Sequence, residues 1–427
     1  MSSPACASNT VSHVPHGVRN YSGLSIGLTY ALAFATYGVL IPFIALIFKA
    51  HGLSDAETSV ALSATGLAAL VAPLSFAHVA DRKLPFRLLM PALLVGGAGA
   101  FYLLNFSTTP FSAFITTFAI YFFLIPALTL LDSFTMDFII RSNSGKRARK
   151  FEHYRIWGSI GFMVPSLLLL IFFGGNQVRP KHLISMGIIV SLAAAACAIL
   201  LPHNEPTQAK HELPSRTALA HAIRPPLRGL FLANIIAGLG LSIFYVLYPR
   251  FLQEVGCSTV EVGLIINLGV AWEVALMPFA ATLIRLFGLE RVVLLGLLTI
   301  PVRLLITCLW PTITVAIVTQ VLHAPLVIGL FVAIPIYLQT HADSTFRHSL
   351  QSLNVSLVQG FARFIGPGLG AYIVSTSPGD ELQGILRALL ATAVLGGCAA
   401  IIFATSSRKD SRHQLSRGTS DGLQTKS

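Results

Sequence analysis

The sequence predicts an all-α integral membrane protein with twelve transmembrane helices, arranged as two pseudo-symmetric halves of six helices each. Three observations support this fold: an apolar composition, twelve long apolar segments and an internal repeat. Hydrophobic residues make up 54% of the 427 residues, charged residues make up 11%, and the mean hydropathy is +0.74. Since soluble domains carry about 25% charged residues, much of this surface must face lipid. A soluble enzyme, a disulfide scaffold and a disordered chain are therefore excluded.

The apolar segments set the number of helices and the domain boundaries. A helix that crosses a bilayer needs roughly 20 apolar residues, and continuous apolar runs argue against an alternating β-barrel pattern. The chain divides into a polar N-terminal tail (1–21), a first bundle (22–201), a polar linker (202–227), a second bundle (228–404) and a C-terminal tail (405–427). The predicted spans are residues 22–48, 57–79, 88–105, 111–138, 154–173, 182–201, 228–252, 259–284, 291–310, 312–338, 349–376 and 383–404.

A short motif occurs twice at the same place in the two predicted halves. The stretch GLSDAE at residues 52–57 returns as GCSTVE at residues 256–261, and the same offset of 204 residues relates Arg87 to Arg291. Each Ser-x-x-Glu is a capping box, which begins a helix by pairing orphan backbone N–H groups. Capping boxes are common, but the shared glycine, the offset and the matching order of spans favour a duplication. Two parallel six-helix repeats are typical of major facilitator transporters.

The basic charge of the chain, +12 at neutral pH, indicates topology. Of the 29 Lys and Arg residues, 21 lie on one side of the predicted membrane, four lie on the other and four lie in or at the spans. The positive-inside rule then predicts that both termini and the linker are cytoplasmic. We expect a multi-pass protein of the plasma membrane, the inner membrane in a bacterium, and no nucleic-acid partner.

The loop after helix 2 carries a recognisable charged pattern. Residues 77–87 read AHVADRKLPFR and resemble the signature loop of the major facilitator superfamily, with Ala77 where the family has glycine. The resemblance implies a latch made by Asp81, Arg82 and Arg87, whose ion pairs break and re-form between two packed states. The alternative is a basic loop that only sets topology.

Helix 5 carries the most specific resemblance. The stretch RIWGSIGF at residues 155–162 resembles helix 5 of the lactose permease and of the related nucleoside and phenylpropionate permeases. The resemblance implies that Asp137 and Arg155 bind the substrate and that Phe162 packs on its ring. A carboxylate and a guanidinium can both hydrogen-bond hydroxyl groups. A structural ion pair between Asp137 and Arg155 is the alternative.

Three ionisable residues fall in helices 8, 9 and 10, where such residues are costly and usually functional. They are Glu273, Arg303 and His323. In lactose permease an arginine and a histidine at the last two positions belong to the proton-coupling machinery. The family's glutamate on helix 10 is Leu326 here, and its lysine is Gln320. We expect Glu273 to replace the missing proton carrier; alternatively, Glu273 and Arg303 form a pair that only locks two helices.

Other polar and aromatic residues in the spans allow two interpretations each. Asp132 is either a second proton site or a hydrogen-bonding partner of a neighbouring helix. Arg363 is expected to extend towards the cytoplasm, and the alternative is contact with the substrate. Tyr30, Phe34 and Tyr37 share one stripe of helix 1 by their spacing. Tyr30 and Tyr37 are candidates to contact a substrate ring, although aromatic stripes also face lipid and other helices.

Together these features predict a secondary active transporter that is not an enzyme. We expect proton-coupled uptake, by alternating access, of a small ring-bearing solute such as a nucleoside, a glycoside or an aromatic acid. Its partners are the solute, protons and the lipid bilayer; the proton gradient drives transport, no cofactor or metal is expected, and the monomer is expected to suffice. The alternatives are proton-antiport drug or metabolite efflux, a uniporter, and a non-transporting receptor.

Overall fold

The computed structural model describes residues 16–80, 86–142, 152–174, 178–201, 220–225, 227–341, 350 and 353–424. These residues form helices and short connections, and no strand occurs among them. We number the long helices α1 to α12 in chain order. Eleven of them are long and apolar enough to cross a membrane, and α2 is the remaining long helix. The predicted all-α membrane fold is thereby confirmed.

The first half contains six helices. Their bounds are α1 His16–Ala50, α2 Asp55–Ala80, α3 Phe86–Leu103, α4 Pro110–Ser142, α5 Glu152–Phe173 and α6 Pro180–Ile199. Helix α1 begins six residues before the predicted start of the first span, inside the predicted polar tail. Most of the predicted linker, residues 202–219, lies outside the described residues.

The second half contains the other six, several of them with irregular turns. Their bounds are α7 Leu227–Glu254, α8 Thr259–Phe287, α9 Leu289–Leu309, α10 Ile313–Leu338, α11 Leu353–Thr376 and α12 Glu381–Gln424. A 3-10 turn at Met277–Phe279 interrupts α8, and π-helical turns occur in α10 at Ile328–Ala333 and in α11 at Ser356–Ala362. Helix α12 continues far into the predicted C-terminal tail.

Both halves use the same packing scheme. Helix α1 packs against α5 and α6, α2 against α4, and α3 against α6; correspondingly, α7 packs against α11 and α12, α8 against α10, and α9 against α12. The repeated motif also has one structure in both places. Gly52 and Gly256 have φ angles of 92° and 99°, which favour glycine. The N–H of Ser54 donates to Glu57 Oε2 at 2.8 Å, and the matching distance in the second half is 2.7 Å. Both predicted capping boxes are confirmed.

Close contacts join the two halves along α2 and α11 and along α5 and α8. A Cβ on Gly66 of α2 would lie 2.5 Å from the carbonyl oxygen of Gly360 on α11, so only glycine fits there. Between α5 and α8, the side-chain amide of Asn267 donates to the carbonyl oxygen of Met163 at 3.0 Å. The halves therefore meet through small residues and a polar bond, which bring the middles of these helices together.

The contact between α2 and α11 generates a stability prediction. Gly66→Ala should lower the midpoint of thermal unfolding in detergent, because overpacking a tight contact costs roughly 1–3 kcal/mol. Gly99→Ala is the matched control, since a Cβ on Gly99 would contact nothing within 4 Å. Equal midpoints for the two variants would contradict the close approach of α2 and α11.

Candidate functional site: a charged cavity between the halves

A cavity of about 340 Å³ lies between the two halves, with lining residues from both. Most of its wall is apolar or aromatic, and the aromatic residues are Phe34, Tyr37, Tyr121, Phe162, Phe244, Tyr245 and Tyr248. The charged or ionisable residues are Arg155, Glu273, Arg303, His323 and Arg363. Ligand sites commonly combine an apolar wall with a few polar groups that orient the ligand.

Arg155 and Phe162 occupy the α5 side of the cavity. The Arg155 guanidinium carbon lies 4.0 Å from the ring centroid of Phe34 on α1, a cation–π contact. Gly158 makes room for this pair, because a Cβ there would lie 2.8 Å from the Phe34 ring and 2.9 Å from Arg155 Nη1. The side chain of Asp137, the predicted partner of Arg155, lies outside the described residues.

Glu273 and His323 form an acid–imidazole pair in the cavity wall. Glu273 Oε2 lies 3.7 Å from His323 Nε2, so the two groups join α8 to α10. Glu273 also lies close enough to Arg155 for their charges to interact across the two halves. In the described part of the chain, no ion pair joins Glu273 to Arg303, so the alternative in which they lock α8 to α9 is not observed.

Arg303 is bound by neutral groups. It is 3% exposed, and its Nη2 donates to Gln320 Oε1 at 2.9 Å. The guanidinium carbon lies 4.8 Å and 5.0 Å from the ring centroids of Phe244 and Tyr248. Gln320 in turn donates to the Tyr248 hydroxyl at 3.0 Å. These contacts fix the guanidinium in the wall of the cavity.

Asp132 and Tyr30 contact each other. The Tyr30 hydroxyl donates to Asp132 Oδ1 at 2.6 Å, which joins α1 to α4. Tyr30 is fully buried and is not among the cavity-lining residues, whereas Phe34 and Tyr37 of the same stripe are. The hydrogen-bonding interpretation of Asp132 therefore matches the geometry, whereas the expected contact of Tyr30 with a substrate stays a prediction. A stripe with a helical period does not show which of its members faces a cavity.

Arg363 also differs from its expected position. The sequence interpretation directed its side chain towards the cytoplasm, but the residue lines the central cavity. It follows directly after the π-helical turn of α11, Ser356–Ala362. Such turns change the direction of the residues after them and are frequent at functional sites.

The predicted latch lies at the edge of the described chain. Asp81 and Arg82 fall outside the described residues, and Arg87 lies in the first turn of α3 without a described side chain. A different set of ion pairs joins the halves at the opposite face, where the α1–α2 and α7–α8 loops lie. Arg250 Nε lies 2.6 Å from Asp55 Oδ1, and both side chains are almost fully buried.

The pairs at this face form one network. Lys49 lies 2.5 Å from Glu381, and Arg250 contacts Glu254 at 2.9 Å and Glu381 at 3.4 Å. Lys49 and Asp55 belong to the first half, and Arg250, Glu254 and Glu381 belong to the second. In the sequence, Lys49 and Arg250 belong to the four basic residues on the less basic side of the predicted membrane. A usable signal was present: Arg250 lies within the apolar run of α7, where an arginine needs a partner.

The two similar halves, the charged cavity between them and the ion pairs that join them at one face define a major facilitator transporter. Residues 24–379 match the MFS_1 like family, and the chain belongs to that family. It is thus a multi-pass membrane transporter and not an enzyme.

Three known proteins show the extent of the similarity. YegT of Escherichia coli (strain K12), to which nucleoside transport is ascribed, is 24% identical over 343 residues, 76% of this chain and 77% of YegT. The nucleoside transporter NupG has a TM-score of 0.77 at 16% identity, covering 90% of this chain and 98% of NupG. A bacterial homologue of the human lysosomal transporter Spinster, inward-facing and unoccupied, has a TM-score of 0.71 at 16% identity, covering 93% and 99%.

The buried ion pair at the closed face generates a conformational prediction. Arg250→Gln leaves the carboxylate of Asp55 buried without its cation, which costs about 3–5 kcal/mol. The halves should then separate at this face. Spin labels on Ala50→Cys and Gln383→Cys, both exposed and in different halves, should show longer distances, measured without the five native cysteines.

Arg387→Gln is the matched control for that measurement. Arg387 lies on α12 near the same face and donates to the carbonyl oxygen of Pro378 at 2.7 Å, a bond within the second half. Its loss should leave the label distance unchanged. An unchanged distance in Arg250→Gln as well would mean that the ion pair does not hold the face closed.

Proposed function

We propose that this protein takes up a small ring-bearing solute together with protons, by alternating access of the central cavity. The observation that supports proton coupling most directly is the pair of Glu273 and His323 in the cavity wall, 3.7 Å apart. A carboxyl group and an imidazole can share, accept and release a proton. Both lie beside the space in which a substrate would bind, so proton binding and substrate binding can influence each other.

The walls of the cavity support a ring-bearing solute. Aromatic side chains come from both halves, and Arg155 and Arg303 each lie over an aromatic ring. A planar solute can pack on these faces while its polar groups bind the guanidinium and hydroxyl groups around it. Nucleosides belong to this class, and two of the similar proteins are associated with nucleosides. Glycosides and aromatic acids belong to it as well.

The ion-pair network suits a transporter that alternates between two states. We assign the closed face to the outside of the cell, because the positive-inside rule puts the termini and the linker in the cytoplasm. Arg250 and Lys49 then close the outer face while the cavity serves the cytoplasmic side. Binding of substrate and proton from outside requires these pairs to break, which gives the halves two discrete arrangements.

Glu273→Gln tests the proton carrier. In vesicles that contain the purified protein, addition of a transported solute should alkalinise the medium outside for the unchanged protein and not for Glu273→Gln. Exchange of labelled solute across the membrane should persist in the variant, because exchange needs binding and alternation but no net proton movement. Glu290→Gln is the matched control: Glu290 lies at the start of α9, accepts a hydrogen bond from Ser407 and is not among the cavity-lining residues.

The same measurement separates the competing functions. Full proton movement in Glu273→Gln would remove this residue from the mechanism. Solute flux without any proton movement in the unchanged protein would indicate a uniporter. Proton movement of the opposite sign, driven by export of apolar cations or drugs, would indicate efflux.

A further inference from the structure

We propose that the solute is an anion, a planar ring that bears a carboxylate or phosphate group, and that Arg303 and Arg363 bind this group. The inference rests on the proposed function, because it assigns the central cavity to the solute. It assigns Arg303 to substrate specificity, whereas the resemblance to the lactose permease implies a role in proton coupling. Carboxylates and phosphate monoesters share the relevant chemistry, an oxyanion that a guanidinium recognises.

The environment of Arg303 gives the strongest support for an anionic solute. The Arg303 side chain is almost fully buried. Among the described residues, its one hydrogen bond to a side chain goes to the neutral amide of Gln320, and its Nε has no hydrogen-bond partner. An unpaired buried charge is costly, and burying one is tolerated when a counter-ion or hydrogen bonds compensate. Here part of the compensation is missing, and the residue borders a cavity. An anionic ligand would supply both the charge and the acceptor.

The charge balance of the cavity agrees with this assignment. Within the described part of the chain, three arginines line the cavity and Glu273 is the one carboxylate that does so. Glu273 pairs with His323 and lies towards Arg155, while Asp132 accepts the Tyr30 hydroxyl and also lies near Arg155. Arg155 therefore has acidic neighbours.

Among the described residues, no carboxylate forms an ion pair with Arg303 or Arg363. The charged pairs around Arg250 belong to the closed face and do not line the cavity. The two arginines thus leave an excess of positive charge in an apolar enclosure, where a charge acts more strongly than in water. A neutral solute would leave this excess uncompensated.

The aromatic side chains around the two arginines also favour a solute that contains a ring. Phe244 and Tyr248 lie beside the guanidinium of Arg303, and Tyr37, Tyr121 and Tyr245 lie near enough to Arg363 for their hydroxyl groups to interact with its charge. Aromatic faces provide packing area for a planar solute. A volume of about 340 Å³ lies in the range of small-molecule sites. The chemistry of the site therefore fits one small ring with one oxyanion.

Matched ligand pairs test the inference without a proton gradient. Binding to the purified protein in detergent is measured by calorimetry for 3-phenylpropionate and 3-phenylpropanamide, and for uridine 5′-monophosphate and uridine. We expect at least one anion to bind about tenfold or more tightly than its neutral partner, because hydrogen bonds to charged groups are stronger than those between neutral groups. Which pair shows the difference distinguishes a carboxylate from a phosphate.

Variants assign the effect to the two arginines. Arg303→Gln should reduce the affinity for the anion to that for its neutral partner and leave the neutral affinity unchanged, and Arg303→Lys should retain part of the preference. Arg363→Gln provides a second, independent variant if Arg303→Gln does not fold. Arg387→Gln, outside the cavity, should keep the full preference. The inference is overturned if neutral partners bind as well as the anions, if neither anion binds, or if Arg303→Gln and Arg363→Gln lower both affinities equally.

These outcomes differ from those that decide the proposed function. Preferential binding of an anion, combined with full proton movement in Glu273→Gln, would keep the anion site and remove the proposed proton carrier. Binding and proton-coupled transport of uridine alone would keep proton-coupled uptake and overturn the anion site.

Discussion

The buried ion pair between Asp55 and Arg250 is the interaction on which the arrangement of the two halves depends. It joins α2 to α7 at a face where both side chains are almost inaccessible to water. Removing two charges from water is costly and is repaid when their geometry is good. Once this pair and the neighbouring contact of Lys49 with Glu381 have formed, the halves are held together at one end, and the space between them becomes a cavity with fixed walls.

In and beside the cavity, charged side chains contact groups that are neutral or can be neutral rather than opposite charges. The Tyr30 hydroxyl contacts the carboxylate of Asp132, the imidazole of His323 contacts Glu273, and the amide of Gln320 contacts Arg303. Each partner is neutral or can be neutral, so each charge is oriented but retains capacity for another ligand. A transporter needs this property, because a site that is fully satisfied by the protein has nothing to offer a passing solute.

The sequence predicted the fold well because the signals of a membrane fold are local. Apolar length predicts spans, Ser-x-x-Glu predicts helix starts, and a repeat predicts two similar halves. It also singled out Arg155, Phe162, Glu273, Arg303 and His323 as functional candidates, and these residues line one cavity; their roles stay predictions. It did not predict features that depend on the rotation of a helix or on pairing across the halves. The direction of Tyr30 and Arg363 depends on the packing angle of α1 and on the π-helical turn in α11, and the partner of Arg250 lies 195 residues away.

That π-helical turn has a consequence for motion. A π-helical turn contains one residue more than an α-helical turn. The residues after it are therefore rotated about the helix axis by roughly 100° relative to an uninterrupted α-helix. In α11 the turn ends at Ala362, directly before Arg363. If the extra residue moved along the helix past this point, Arg363 would rotate out of the cavity without any tilt of the helix axis. Such a change of register would withdraw a charge from the cavity independently of the rocking of the two halves.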